Sequence, residues 1–490
     1  MLKKLIKTAL VGAALLALAG TAKAATIEIN FYGASAQYTY WNDAADNFLE
    51  AAPRNCNPAN VVQKQSSDKK HGVTYTTAAC GDGNNYIIRY SSKASYDGIC
   101  AAKGLAASYC SSACSGDRHT RNMFDETQAD GCDPTLPNCL KCVPVNMGAS
   151  DVAGEAFIQQ SHGQLYGPNG GGNVDRVYSG VDASGLSFKN PLVVPFGFFA
   201  HDSVKKTRCI APDPLTPAGA TGDKAISSWG NQCYDPQSTG HSTSCIGYYK
   251  CIANKCVGGV NKGSACNHVT DCPDVALADT KCASIPLDNV SRLMVTMIFN
   301  GQALSWTDFG DWYPGLPIVA CLRHAGSGTH ATLDLGVMRG NGWGWPLLTQ
   351  ESAPTVYFND GSADEMKCIN QLQGAIGYAD ADQLYAASSK DTQTPFPYEN
   401  VHALKYQGVE PKRAKIRNGE YEFWSKQWVY YNGNDPNLTT INAILAYAAN
   451  PANVPSTKAD YWATYDEMHY MKATDFTYPG YQDAAKPQLP

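Results

Sequence analysis

Charge is scarce in this sequence. Asp, Glu, Lys and Arg supply 17% of its 490 residues, against roughly 25% in ordinary soluble domains, and Gly, Asn, Ser, Thr and Tyr stand in their place. That is a surface suited to the outside of the cytosol. Basic residues are outnumbered 38 to 44, which disfavours nucleic acid, whose binding draws its affinity from neutralised phosphates. Beyond residue 24 there is no apolar run of about 18 residues, so no membrane-spanning helix is predicted. C-x-x-C-H, the signature of covalently attached haem, does not occur. One C-x-x-C exists, Cys139 to Cys142, with no second to complete a zinc ribbon, so neither a metal nor any other cofactor is expected.

What is present begins with a leader. Lys3, Lys4 and Lys7 precede an apolar run from Thr8 to Ala19, and Ala22, Lys23 and Ala24 form an A-x-A cleavage signal. Position 25 is Ala rather than a lipid-bearing Cys. Residues 1–24 hold four Lys and no acid, so the remaining chain carries a net charge of −10. Export to the periplasm or beyond follows, and the 18 Cys agree with it. Eight lie between Cys56 and Cys142, eight between Cys209 and Cys282, and Cys321 and Cys368 stand apart. In an oxidising compartment this reads as a disulfide framework. Both clusters have little aliphatic material of their own, so their bridges are expected mainly within each cluster, with Cys321 paired to Cys368.

The remaining chain alternates strands and helices. Ile27, Ile29 and Phe31 alternate before Gly33, and Tyr40, Trp41, Ala44, Ala45 and Phe48 then recur at helical spacing. Residues 85–92 read as a strand, 142–151 as a short strand ending in a turn at Asp151, and 191–203 as a buried strand able to pass between two lobes. Residues 287–301 read as an amphipathic helix, 317–338 as strand, Gly-rich loop and helix, and 374–386 as a strand. A Tyr- and Trp-rich strand pair near 421–432 and a helix near 438–449 close the series. This order predicts an α/β fold, interrupted by Cys-rich inserts at about 100–142 and 209–282.

The loop R-H-A-G-S-G-T-H, residues 323–330, carries the clearest chemistry. Ser327, Gly328 and Thr329 stand where a helix begins, so backbone N–H groups and two hydroxyls converge at the positive end of a helix dipole. Arg323, at a strand end, adds a planar fork suited to an oxyanion. The plainer reading is a capped helix with Ser327 as N-cap. No Lys follows Gly328 as a P-loop requires, and A-G-S-G-T is not a G-x-S-x-G nucleophile elbow. His324 and His330 flank the loop and are expected at the surface. Asp151, Ser92 and Gln37 are ordinary loop residues taken singly, yet each ends a predicted strand, where ligands of open α/β sheets sit.

In order, G-A-S-A-Q-Y (33–38), Y-S-S-K-A-S (90–95), G-A-S-D (148–151), I-F-N-G-Q-A-L-S-W-T-D (298–308), R-H-A-G-S-G-T (323–329) and G-A-I-G-Y (374–378) resemble motifs of the periplasmic phosphate-binding proteins of ABC phosphate uptake. The resemblance covers about residues 26–386. It implies a two-lobed type II periplasmic-binding-protein fold with hinge strands, to which the Cys-rich inserts are additions. Lobe one would take 25–193 and 385–490, and lobe two 197–380, with crossings near 191–198 and 376–382. It also implies ligand-binding roles for Gln37, the backbone of Tyr38, Ser92, Asp151, Arg323, Ser327, Gly328 and Thr329. The expected partners are phosphate or a related oxyanion such as arsenate, and an ABC permease. Gln37 stands where the family has Thr, Ala325 where it usually has an acid, and the Ser92 loop lacks a Gly pair.

An ionised Asp151 only accepts hydrogen bonds, so it favours an oxyanion that keeps a proton and repels one that does not. Phosphate and arsenate therefore suit the site better than sulfate. The competing reading is an exported structural or interaction protein that uses the same scaffold and its disulfide-rich modules for contacts. A phosphate-ester hydrolase is disfavoured, because no activated Ser/His pair or metal cluster is readable.

Overall fold

The computed structural model describes residues 24–106, 110–157, 180–210, 281–310, 312–338, 356–383 and 398–472, with residue 265 and short strands at 160–165, 173–177, 232–233, 250–252, 255–257 and 486–487. The leader expected over 1–24, apart from residue 24 itself, and most of the second Cys-rich insert lie outside the described residues.

Two α/β layers follow from two sheets. In the first, Thr26–Ala34 runs parallel to Asn85–Lys93 on one side and to Met147–Ser150 on the other. Outer strands Val61–Gln65, His71–Thr76, Trp428–Tyr431 and Ser187–Lys189 complete seven. Ile29 and Phe31 are wholly buried, as their period-2 spacing requires for one face of a sheet. The strand continues through Gly33 to Ala34 instead of breaking there. Gly33 holds φ +135°, and a Cβ on it would lie 2.2 Å from the Ala149 carbonyl oxygen, so the neighbouring strand leaves room only for glycine. Helix Tyr38–Glu50 then buries Tyr40, Trp41, Ala44, Ala45, Phe48 and Leu49.

Leu192–His201 lies inside the second sheet, directly after Ser187–Lys189 at the edge of the first. Its run L-V-V-P-F-G-F-F-A is buried throughout, which explains the missing alternation: both faces are covered. Leu192–Pro195 pairs with Trp424–Lys426 and Ala463–Thr464, while Phe196–His201 pairs with Ala375–Asp380 and Val401–Tyr406. The second sheet continues through Val319–Arg323 and Val356–Asn359 to 160–165 and 173–177. It thus takes strands from 160–177 and 401–406, outside the 197–380 expected for lobe two. One apolar core runs through both layers, from Ile29, Phe31 and Trp41 to Ile376, Tyr378 and Phe423.

Two sequence expectations change. The helix expected over 287–301 spans Arg292–Phe299: Ser291 caps it, its hydroxyl accepting from the Met294 N–H at 3.2 Å. The preceding Asn289 and Val290 are drawn into pairing with Lys405 and Tyr406. The aromatic segments Trp424–Lys426 and Trp428–Tyr431 do not pair with each other. One joins each sheet, with buried Gln427 between them as the joint.

All eight cysteines of the first cluster pair within it: Cys56–Cys80, Cys100–Cys110, Cys114–Cys142 and Cys132–Cys139. Cys321 pairs with Cys368. The insert is a hairpin, Thr120–Phe124 with Leu140–Pro144. It is docked by the buried Arg89, whose guanidinium donates to the Phe124 carbonyl at 2.9 Å and pairs with Glu28 and Glu126. Burial raises the Glu126 pKa but its bonds to Lys141 and Arg89 outweigh that, holding it down at about 2.

Candidate oxyanion site

Strand ends and helix starts from both sheets meet at Asp151. It follows Met147–Ser150 directly and is 1% exposed. Its Oδ1 accepts from Gln37 Nε2 at 2.9 Å, and its Oδ2 accepts from Ser95 Oγ at 3.2 Å and Thr329 Oγ1 at 3.4 Å. Burial pushes its carboxyl up to about 6, held there against the bonds from Gln37, Ser95 and Thr329 and the attraction of Arg323. Gln37 is wedged between elements: Nε2 also donates to the Ser150 carbonyl at 2.9 Å, and Oε1 accepts from Gln427 Nε2 at 2.7 Å.

The loop after Val319–Arg323 supplies the facing wall. Ser327 caps Gly328–Thr332, as the plainer reading expects, its hydroxyl accepting from the His330 N–H at 3.4 Å. Gly328 lies so close to the first layer that a Cβ on it would stand 2.5 Å from Ser95 Oγ and 2.7 Å from Asp151 Cβ. Arg323 is 1% exposed. Its Nε, Nη1 and Nη2 donate to the Asn359 carbonyl (3.4 Å), Ser362 Oγ (3.2 Å) and the Asp360 carbonyl (2.8 Å). All three partners are neutral, so none cancels the guanidinium charge. A guanidinium has five donors; these bonds leave one N–H on each terminal nitrogen.

The layers touch across this cleft. The Tyr96 N–H donates to the Gly326 carbonyl at 3.1 Å, Ser35 Oγ lies 3.3 Å from Ser362 Oγ, and Lys70 pairs with Asp364 at 2.8 Å. Asp364 also accepts from the Gly361 N–H at 3.1 Å, tying that ion pair to the start of helix Ser362–Gln371. Ser35, Ser95 and Ser362 thus stand at or beside helix starts facing one region, where N–H groups lack intrahelical partners.

Of the residues singled out in the sequence, Gln37, Asp151, Ser327, Gly328 and Thr329 come together, with Arg323 one layer behind through Ser362. Tyr38 opens its helix, and its ring meets Tyr90 edge-on at 5.9 Å. Ser92 is not part of the cluster. It is half-buried, and its N–H donates to the Lys70 carbonyl at 2.7 Å, whereas Ser95, three residues on, holds Asp151 from both sides: its hydroxyl also accepts from the Asp151 N–H at 3.1 Å. Ser95 is the first residue of helix Ser95–Lys103, after an N-cap at Ala94, so no capping pattern in the sequence marks it. Ser362 and Gln427 were missed because nothing local marks them.

The histidines are corrected too: His324 and His330 are buried. His330 Nδ1 lies 2.5 Å from the Tyr378 hydroxyl, which itself accepts from the Arg323 N–H at 3.1 Å. Burial, helped by the Arg323 charge, lowers His330 to about 3, so the ring that meets the tyrosine hydroxyl is neutral. Tyr378 therefore links the Arg323 strand to the helix carrying Thr329. Among the described residues no group of three or more His, Cys, Asp or Glu is placed to hold a metal ion, and no helix is long and apolar enough to cross a membrane.

No family model matches the sequence. Among solved structures, the chain is similar to a protein assigned as a phosphate ABC transporter substrate-binding protein from Clostridium perfringens, solved with bound phosphate, at 12% identity and TM-score 0.40 over 85% of this chain and 93% of that one. It is also similar to an ABC-type phosphate transport receptor from Vibrio cholerae, at 10% identity and TM-score 0.35 over 85% and 93% of the two chains. A phosphate-binding protein from Stenotrophomonas maltophilia aligns at 9% identity and TM-score 0.36 over 92% and 86%.

Proposed function

We propose that this chain is an exported receptor that captures a tetrahedral oxyanion, phosphate before others, between its two layers and delivers it to an ABC permease. The observation that carries this reading is the opposition of Asp151, buried and able only to accept when ionised, to an Arg323 fork whose bonded partners are all neutral. Ser327, Gly328 and Thr329 add the start of a helix on the same side. An anion that keeps one proton satisfies both walls at once: its oxygens accept from Arg323 and the helix start, and its O–H donates to Asp151.

Sulfate has no such proton and would meet Asp151 as a like charge in a dry cleft, a penalty of several kcal/mol for an uncompensated buried charge. Arsenate shares the protonation of phosphate and falls on the same side of that divide. The lobes expected from the sequence would close by hinge motion about Leu192–His201 and Ala375–Asp380, excluding water and strengthening each bond. Calorimetric titration of the ligand-free exported chain with phosphate, arsenate and sulfate tests the reading. Phosphate and arsenate should bind and sulfate bind far more weakly; equal affinities, or no binding by any of the three, would overturn it.

A further inference from the structure

One short segment faces both ways at the cleft. Residues 359–364 lead from strand Val356–Asn359 into helix Ser362–Gln371. On its inner side the segment wraps Arg323: the Asn359 carbonyl, the Asp360 carbonyl and Ser362 Oγ take the three guanidinium bonds. Asn359 Nδ2 donates to the Leu322 carbonyl at 3.0 Å, and the His324 N–H donates to the Asn359 carbonyl at 3.2 Å, so the segment is fastened on both sides of the arginine. On its outer side two acids reach the other layer. Asp364 Oδ2 meets Lys70 Nζ at 2.8 Å, and Asp360 Oδ2 lies 3.9 Å from Lys93 Nζ.

The first layer sets these two lysines side by side. Lys93 ends strand Asn85–Lys93, and the N–H of Ser92, the residue before it, donates to the Lys70 carbonyl at 2.7 Å. Ser92, which does not reach Asp151, thereby ties the strand end to the turn that carries Lys70. That turn is held in its own right, since the Lys70 N–H donates to Asp68 Oδ1 at 3.0 Å. The Lys70–Asp364 pair is the closer and the better covered, its side chains 29% and 22% exposed against 41% and 39% for Lys93 and Asp360. It is therefore the pair that salt screens less and that a substitution reads best.

We propose that Lys70 and Lys93 are positioning residues of the anion site: by pairing with Asp364 and Asp360 they draw segment 359–364, and the Arg323 fork it holds, against the first layer. Closing the cleft and placing the fork are then one event. The proposal rests on reading the cleft as an anion site. The lysines act through the segment and need not touch the anion. A lysine at a cleft mouth can also attract an anion by charge alone, and the two roles differ in what the acids do. As members of a latch, Asp360 and Asp364 favour binding; as bare negative charges near the anion they oppose it.

Lys70→Met, Asp364→Asn and the two together, made in the full exported chain and titrated with inorganic phosphate, separate these roles. Asp364 also accepts from the Gly361 N–H, a bond that Asn can keep, so Asp364→Asn removes the ion pair and little else. Each single variant should weaken phosphate binding by roughly two- to fivefold, the range of a partly exposed ion pair. The double variant should bind no more weakly than either single one, and Lys70→Arg should keep the parent affinity. The loss should lie in faster phosphate release rather than slower capture, and it should shrink as salt is raised to about 0.5 M. Tighter binding by Asp364→Asn together with slower capture by Lys70→Met would assign the lysine to charge attraction and overturn the latch. So would unchanged affinity in both single variants, or losses that add in the double one. A parent that binds no phosphate would sink the receptor reading instead. The cross-layer pair would then have to appear as coupling between the two substitutions in thermal unfolding, and additive losses there would overturn it as well.

Discussion

Gly328→Ala is the sharpest probe of the closed cleft, because the added methyl group meets the opposite layer and little of its own. Its Cβ would stand 2.5 Å from Ser95 Oγ, 2.7 Å from Asp151 Cβ and 3.1 Å from the Asp151 nitrogen. Rotating the Ser95 side chain relieves the first contact. The other two are a backbone atom and a side-chain root, and they move only if the layers separate. Forcing one methyl group into a packed contact costs about 1–3 kcal/mol, and each 1.4 kcal/mol is a factor of ten. Phosphate affinity should therefore fall by roughly 5- to 150-fold. With the layers apart the methyl group faces solvent, and Ala is the better helix former, so the ligand-free protein should melt no lower than the parent. Calorimetry measures the first quantity and thermal unfolding with and without phosphate the second. Unchanged affinity, or an equal loss of stability with and without ligand, would refute the idea that Gly328 is required by closure.

Arg323→Ala removes the site's guanidinium and should weaken phosphate binding more than any other single change, by about 3 kcal/mol or more at 1.5–3 kcal/mol per charged hydrogen bond, read in the same titration. Arg323→Lys keeps the charge but loses the fork and should fall in between. Asp151→Asn should narrow the phosphate-to-sulfate ratio, chiefly by relieving repulsion of sulfate. It should also change the pH dependence of stability. Burial raises the Asp151 carboxyl from its ordinary 3.8 to about 6, so the folded state holds the proton over a window in which the unfolded chain has lost it. Its contribution is then fully present below pH 3.8 and is lost as pH rises through about 6, by about 3 kcal/mol. Urea unfolding from acid to neutral pH should show that decline in the parent and not in Asp151→Asn. Opening Cys321–Cys368, which closes a 47-residue separation, with paired Ser substitutions should cost ~4 kcal/mol by loop entropy. Non-reducing peptide maps should recover the four bridges of the first cluster and confine those of Cys209–Cys282 to that insert.

Some of this was legible along the chain because it depends on neighbours in sequence. The strand, loop and helix of 319–332 could be read from an apolar run followed by Gly and Ser, and Ser327 as a cap from its place before the helix. Cysteine grouping was legible too, since short intervals pair at low loop-closure cost. The tertiary structure alone decided the rest, wherever partners come from distant segments. Gln37 is completed by Gln427, 390 residues away; Arg323 is held by Ser362; and the Asp382 charge is met by Lys458 from a C-terminal turn. Ser95 displaced Ser92 because the helix start, rather than the strand end, approaches Asp151. His330, at the end of the 323–330 loop, went inside because Tyr378, from a neighbouring strand, receives it. Local patterning sets which face of an element is apolar, but it carries no information about which polar side chain will stand opposite once two layers meet. That is decided by long-range packing, and by the requirement that buried polar atoms find partners there.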